Sequence, residues 1–488
     1  MAKLSTGFEE RTFAELMYFQ AKMPLSNKGI PLKLVHGSDF PYREVEKELG
    51  LETAATGASA SLAVGGLSNV WGAAILPYIQ HDISDWPILV CDLAKHYEAV
   101  VKITGLSGRM DGLSKMFPLY TDSPFDLQPS SQASSLLKKL ETIHERLNRD
   151  GITYGSSRLA IRPSKSNAIG CVYCGRCLHG CPYGCIYSSS DDLPGLLTQK
   201  RGPFDYKSNT VIETISESRL GVIATGYDRL SKEKVTIEAD RVYLGAGVIP
   251  STKILLKSMN AYDRPVEVLD SQYFLLPMVT MEASENVSRE ALQTLCQLFI
   301  EIQDEMISAH TIHLQLYTYN DIIAATLNHR FRFLPLLRQL AVHHLKHRLI
   351  VIQGFLHSVD SGRINFQIKR SSETSKDRLI VEGVPRADVK KTIHKVIAKL
   401  GKHFRGLGLF PIERAMEIAL PGRGYHYGGS FRMRAKPQAM ESDIAGRLPG
   451  FFRTHVVDAS VFPSISAATI TLTAMANAHR IGSMVKYE

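Results

Sequence analysis

The chain has 488 residues, 44% of them hydrophobic and 22% charged, which excludes collagen-like, coiled-coil and wholly disordered classes. At roughly 100–200 residues per domain, this length accommodates two to four domains. Lys and Arg outnumber Asp and Glu by 57 to 48, for a net charge of +9. That balance favours anionic partners, from phosphate-bearing cofactors to membrane surfaces and nucleic acid, without choosing among them.

The opening residues, MAKLSTGFEERTFAEL, lack the apolar run of a secretory signal, so a soluble, cytoplasmic protein is expected. A helix is predicted over Thr12–Lys22, then a turn at Asn27-Lys28-Gly29. From Thr53 to His81 no Asp, Glu, Lys or Arg occurs, and small residues crowd the centre, AVGGLSNVWGAAILPY. Such density suggests backbone lying close against something. Helices are predicted at Asp92–Val101 and at Gln132–Arg149, where Leu136, Leu137, Leu140, Ile143 and Leu147 recur at helical spacing. From Thr210 to Gly247, short alternating runs predict a meander leading into a buried strand that ends in glycines. Helical signals follow at Ser288–Met306 and Ala387–Leu407, and strand signals at Leu349–Leu356 and Arg363–Ile368. The end of the chain reads as strand Thr454–Val457, a tight turn, and a helix from about Thr471 to Val485.

The last seventy residues carry the most chemistry. GRGYHYGGSFRM holds His426, Gly428, Gly429, Ser430 and Met433, and soon afterwards comes RTHVVDASVFPSISAATITLTAMANAHRIG. A strand ending in Val-Val-Asp-Ala-Ser, a proline turn and a helix can present a helix N-terminus to an anionic or electron-rich group. Asp458 at that strand end can hydrogen-bond a hydroxylated ligand chain.

Together these segments resemble the glucose–methanol–choline (GMC) oxidoreductase family. His426-x-x-Gly429-Ser430-x-x-Met433 is similar to the segment with that family's catalytic histidine, and Val456 to Pro463 to its closing flavin segment. Gly245 to Ser258, GAGVIPSTKILLKS, is similar to its second signature. GGLSNVWGAAILPY, with Asp82 and Trp86 beyond it, is similar to the glycine loop beside the flavin. The resemblance implies FAD as cofactor. It implies His426 and Thr469 as catalytic groups, and Gly65, Gly66, Ser68, Asn69, Trp71, Gly72, Val211, Gly245, Asp458, Ala459, Thr469 and Ile470 at the cofactor. Two departures stand out. Thr469 replaces the family's second polar residue, a His or Asn. No strand–GxGxxG–helix unit, the grip on the FAD pyrophosphate, precedes Gly65, which reads as a chain shortened at its N-terminus with weakened hold on FAD.

Five of the seven cysteines form the run Cys171-x2-Cys174-x2-Cys177-x3-Cys181-Pro182, with Cys185 beyond. The spacing matches the bacterial ferredoxin run, in which the fourth cysteine serves another cluster. Neighbouring thiolates repel one another unless a metal neutralises them, so the residues allow an iron–sulfur cluster or zinc. They also allow a reduced loop in which the cysteines are small apolar filler. Iron–sulfur clusters serve as electron exits in some bacterial flavin sugar dehydrogenases, so the resemblance points to the first. Residues 329–349, HRFRFLPLLRQLAVHHLKHRL, carry five Arg or Lys and no acid. They suit a peripheral membrane contact, a lid or a solvated basic face. No nucleic-acid-binding fold is apparent.

An α/β protein is therefore expected. Its flavin domain is assembled from 45–110, 161–262 and 421–488, with 161–190 as a cysteine-rich loop. Residues 111–160 connect it to a substrate domain, 263–420, with a mostly antiparallel sheet and helices. The expected activity is FAD-dependent oxidation of a CH–OH group in an alcohol or sugar-like small molecule. Electrons would leave through the cluster to an acceptor protein or quinone, as in a dehydrogenase. The alternative is a non-catalytic truncated paralogue that binds a metal or a partner.

Overall fold

The computed structural model describes residues 33–162, 170–199, 202–323, 344–370 and 377–484. The helix expected at Thr12–Lys22, the turn at 27–29 and most of the basic segment 329–349 lie outside them. The chain is mixed α/β, as its sequence predicts.

The largest sheet has seven strands. Its path is β14 (Leu409–Pro411), β8 (Tyr273–Thr280), β11 (Leu349–Phe355), β10 (Ser308–Tyr317), β9 (Leu298–Asp304) and β2 (Ile152–Ser156), with β15 (Glu417–Ile418) also on β8. All its pairings are antiparallel. The two faces differ because side chains alternate along a strand. Phe274, Leu276, Met278, Leu298, Ile300, Ile302, Ile312, Leu314, Leu316, Ile350 and Ile352 are even-numbered, and all enter one core. That core is completed by helices Ser131–Glu141, His144–Arg149 and Val389–Phe404. The odd-numbered face looks the other way. The helix expected over Ser288–Met306 is thus strand β9 at its C-terminal end. Leu-Phe-Ile-Glu-Ile is buried on both faces, and its period of two was masked by a length that also suits a helix. The helix expected over Gln132–Arg149 breaks in two at Thr142 and Ile143.

A second sheet orders β1 (Leu51–Ala54), β13 (Arg378–Val384), β12 (Arg363–Lys369), β7 (Val266–Asp270) and β16 (Tyr427–Gly428). β12 and β13, expected within the 263–420 unit, share this sheet with residues 51–54 and 427–428. Ile364, Phe366, Ile368, Leu379 and Val381 accordingly pack in the other large core, with Val456, Phe462 and Leu255. The meander is β3 (Thr210–Glu217), β4 (Val222–Asp228) and β5 (Lys234–Ala239). It leads into β6 (Val242–Leu244), which pairs in parallel with β17 (Thr454–Val456). Helix Val248–Ser258 follows β6, and helix Ile470–Met484 ends the described chain, packed on helix Val90–Thr104. Among the described residues no helix is long and apolar enough to cross a membrane.

Candidate functional site

The segments singled out by sequence meet where β6 and β17 end. Asp458 follows β17, and its carboxylate accepts from Gly247 N (2.9 Å) and Ser251 Oγ at the start of helix 248–258, and from Ser460 N (2.9 Å). One side chain thus ties two strand ends to a helix N-terminus. Gly247 has φ +89°, outside the range of ordinary L residues. Gly245 lies directly against Val457: an added Cβ would sit 3.2 Å from its Cγ2.

The histidine segment lies on this junction. Gly429 N donates to Ala459 O and Phe431 N to Ser460 O. An added Cβ on Gly428 would come within 2.3 Å of Ala459 O, so only glycine permits this approach. Ser430 Oγ accepts from Thr252 Oγ1 (2.8 Å). His426 is held by its own backbone, with its O accepting Ser271 N, and by the ring of Phe355, whose centroid is 4.8 Å away. Its Nδ1 is buried without a hydrogen-bond partner. Burial, with a smaller contribution from His313, pushes its pKa down to about 3, so the imidazole is neutral and able to accept a proton.

The odd face of the seven-stranded sheet forms the facing wall, which sequence reasoning missed. His313 Nδ1 lies 2.7 Å from Glu301 Oε1, and its Nε2 lies 3.1 Å from the Gln315 amide. Tyr317 OH donates to Gln315 Oε1. Phe355 stacks on His426, and the His313 ring lies 6.1 Å from the Phe355 ring, at 27°. Glu301 and His313 are fully buried, and burial raises the Glu301 pKa. A buried polar face must have its groups paired or facing a ligand, and here Glu301 Oε2 is unpartnered. The available signal was the alternation His-Leu-Gln-Leu-Tyr at 313–317, with polar residues on one face only.

The glycine loop closes the site from another side. An added Cβ on Gly72 would lie 3.4 Å from Tyr317 OH, and Leu76 N donates to Thr469 Oγ1 (3.0 Å). Thr469 is therefore engaged in holding the loop, one position before Ile470 opens the last helix. Gly65 and Gly66 both have positive φ, and Asn69 Nδ2 donates to Val64 O and Gly66 O, closing the turn. Ser68 Oγ donates to Gly65 O and meets Ser188 and Ser189. Trp71 Nε1 donates to Tyr187 O. The loop thus rests on the chain just after the cysteine run. Val211 stands apart in the meander, opposite Tyr227 in β4.

Cys177 and Cys185 are buried, Cys171 and Cys181 partly so, and Cys174 is exposed. Cys177 Sγ accepts Thr294 N, and Cys181 Sγ accepts Cys185 N, both at 3.4 Å. Among the described residues no three of these sulfurs lie within 4.8 Å of one another. Zinc–sulfur bonds of about 2.3 Å at tetrahedral angles need sulfurs about 3.8 Å apart, so a ready-made zinc site is not built here.

Beside His426, Asp270 is buried with Oδ1 unpartnered, and burial pushes its pKa up to about 8. Its folded-state pKa is raised, so its contribution to stability is fully present below about pH 4 and is lost as pH rises toward 8. Asp270→Asn removes that loss. The variant should gain stability over wild type by up to about 4 kcal/mol at pH 7 and almost nothing at pH 4. Urea unfolding at both pH values checks this, and a difference independent of pH would refute it.

Residues 411–478 match the family model described as GMC oxidoreductase, a stretch holding both His426 and Asp458. In this segment the chain is similar to GMC oxidoreductases. No curated protein matches it in sequence. The fold of the chain is similar to that of pyridoxine 4-oxidase from Mesorbium loti, with TM-score 0.57 and 12% identity over 96% of this chain and 97% of that one. A formate oxidase variant from Aspergillus oryzae gives TM-score 0.57 and 11% identity, covering 87% and 84%. An FAD-dependent oxidoreductase from Chaetomium thermophilum gives 0.54 and 10%, covering 87% and 86%. At such identities the likeness is one of fold.

Proposed function

We propose that the protein is an FAD-dependent oxidoreductase that oxidises a CH–OH group of a small hydroxylated molecule. The observation that carries this is the buried, unpartnered Nδ1 of neutral His426, set against the polar odd face of the sheet. Support for a flavin ring comes from the small residues Gly72 and Gly245, packed close to Tyr317 and Val457, and from Asp458 and Ala459 directly after β17. Among the described residues ahead of Gly65, no glycine-rich turn from a strand into a helix grips the pyrophosphate.

FAD, when bound, supplies the two-electron acceptor. His426 takes the hydroxyl proton on an imidazole nitrogen, which its neutrality allows. Gln315 and the His313–Glu301 pair orient the hydroxylated substrate from the opposite wall. Phe355 keeps the His426 ring from turning. Thr469 secures the glycine loop through Leu76, and the buried wall excludes water from the reacting bond.

Proteins of similar fold include oxidases. The dehydrogenase reading rests on the cysteine loop, which contacts the glycine loop through Tyr187 and Trp71. An iron–sulfur cluster there, held by three or four of Cys171, Cys174, Cys177, Cys181 and Cys185, would lie on the way out for single electrons to a protein or quinone acceptor. Protein made anaerobically should contain iron and acid-labile sulfide, and Cys174→Ser should lose most of both. Absence of iron under these conditions would return the loop to a structural role and leave an oxidase. The cofactor assignment is tested by anaerobic reduction of FAD-reconstituted protein with a panel of alcohols and sugars. Bleaching of the flavin absorbance supports it. Failure of the protein to take up FAD at any concentration favours a non-catalytic binding protein.

A further inference from the structure

A second cluster of ligating side chains lies outside these residues. His81 and Asp82 sit in a 3-10 turn, Gln80–Ile83, and face His310 near the start of β10. One ligand atom from each lies within 4.8 Å of the other two. His310 Nδ1 is buried without a hydrogen-bond partner and lies 3.9 Å from Asp82 Oδ1. Ligand atoms about 2.0–2.2 Å from one ion at a tetrahedral angle lie about 3.4 Å apart, so a small side-chain shift brings these two onto a shared ion.

The surroundings hold the ligands in place. The Asp82 carboxylate accepts Thr311 N (3.0 Å) and Ser466 Oγ (2.9 Å). His310 is stacked on His357, with ring centroids 3.7 Å apart and planes at 17°. His357 is itself fixed, accepting Val359 N and contacting Asp82 O at 3.1 Å. Ligands whose orientation is set by such outer contacts are a recurring property of metal centres. Asp82 is 1% exposed, whereas His81 is exposed, so the cluster opens to solvent on the His81 side and an ion can enter.

We propose that His81, Asp82 and His310 form a binding site for a divalent transition-metal ion, with Zn2+ as the representative. Two imidazoles and one carboxylate suit Zn2+, Fe2+ or Co2+ better than Mg2+ or Ca2+, which prefer oxygen alone. Three protein ligands leave at least one position for water. The bound ion links the start of β10, through His310, to the turn before the last helix, through Asp82 and Ser466. It acts as a latch between these two segments and does not depend on any flavin.

The test uses untagged, reduced full-length protein, freed of metal by chelation. Added Zn2+ should raise the melting temperature, because an ion that binds only the folded state stabilises it. Co2+ should give weak d–d bands. Cys174→Ser should keep both effects, which separates this site from the cysteine loop. His81→Ala, at an exposed position that the fold tolerates, should weaken Zn2+ binding about tenfold or more, and His310→Gln should do the same. Intense sulfur-to-cobalt charge transfer as the only Co2+ signal would overturn the proposal. An undiminished Zn2+ response in His81→Ala, or no response in wild type, would also overturn it.

Discussion

Replacing His426 by Ala is expected to slow substrate-driven flavin reduction by about 10²–10⁴-fold, the usual worth of a positioned general base. The bound FAD content should not change, because the side chain packs on Phe355 while its backbone is held by Ser271 N. The pH profile gives an independent reading. With its pKa pushed down to about 3, His426 stays neutral across the ordinary histidine range. The acid limb of flavin reduction in wild type should therefore fall well below pH 6.5. Single-turnover mixing under anaerobic conditions measures both quantities. Equal reduction rates in wild type and variant would remove His426 from the chemistry.

Asp458→Ala should be the most destabilising substitution near the site. It strands Gly247 N, Ser251 Oγ and Ser460 N, each of which donates to a carboxylate. Hydrogen bonds to charged acceptors are worth about 1.5–3 kcal/mol each, so a loss of about 3–5 kcal/mol is expected after partial replacement by water. The β6–β17 pair has only two strands and depends on this tie to fix the helix after it. Asp458→Asn keeps an acceptor and should lose less than half as much. Thermal unfolding of the two variants, followed by circular dichroism, ranks them. An Ala variant as stable as wild type would mean that the junction is held by packing alone.

The local elements around the site were readable in advance because their signals are local. Val-Val-Asp-Ala-Ser announces a strand end and a turn, and the alternating runs of 210–247 announce a meander. Helix 389–404 carries an apolar stripe that any helical template finds. What could not be read depends on contacts distant in sequence. Leu298–Asp304 is a strand because β10 and β2 flank it, and nothing within its seven residues states that. The His313–Glu301 pair is assembled across two such strands. Likewise, Thr469 could be placed in the turn by resemblance, yet its partner Leu76 lies nearly four hundred residues away.

The segregation of the seven-stranded sheet into odd and even positions has an evolutionary consequence. Its two faces can change independently. Substitutions at 299, 301, 313, 315, 317 and 353 change the polar wall, and at 299 and 317 the other large core, without entering the core that helices 131–141 and 389–404 complete. Changes confined to one face thus leave the packing of the other face in place. Insertions and deletions have no such freedom. One residue gained or lost inside β9 or β10 turns His313 toward the helices and Leu314 away from them, exchanging both faces at once. Lineages of this sheet should therefore differ mainly by replacement along fixed strand lengths, with length changes confined to the loops between them.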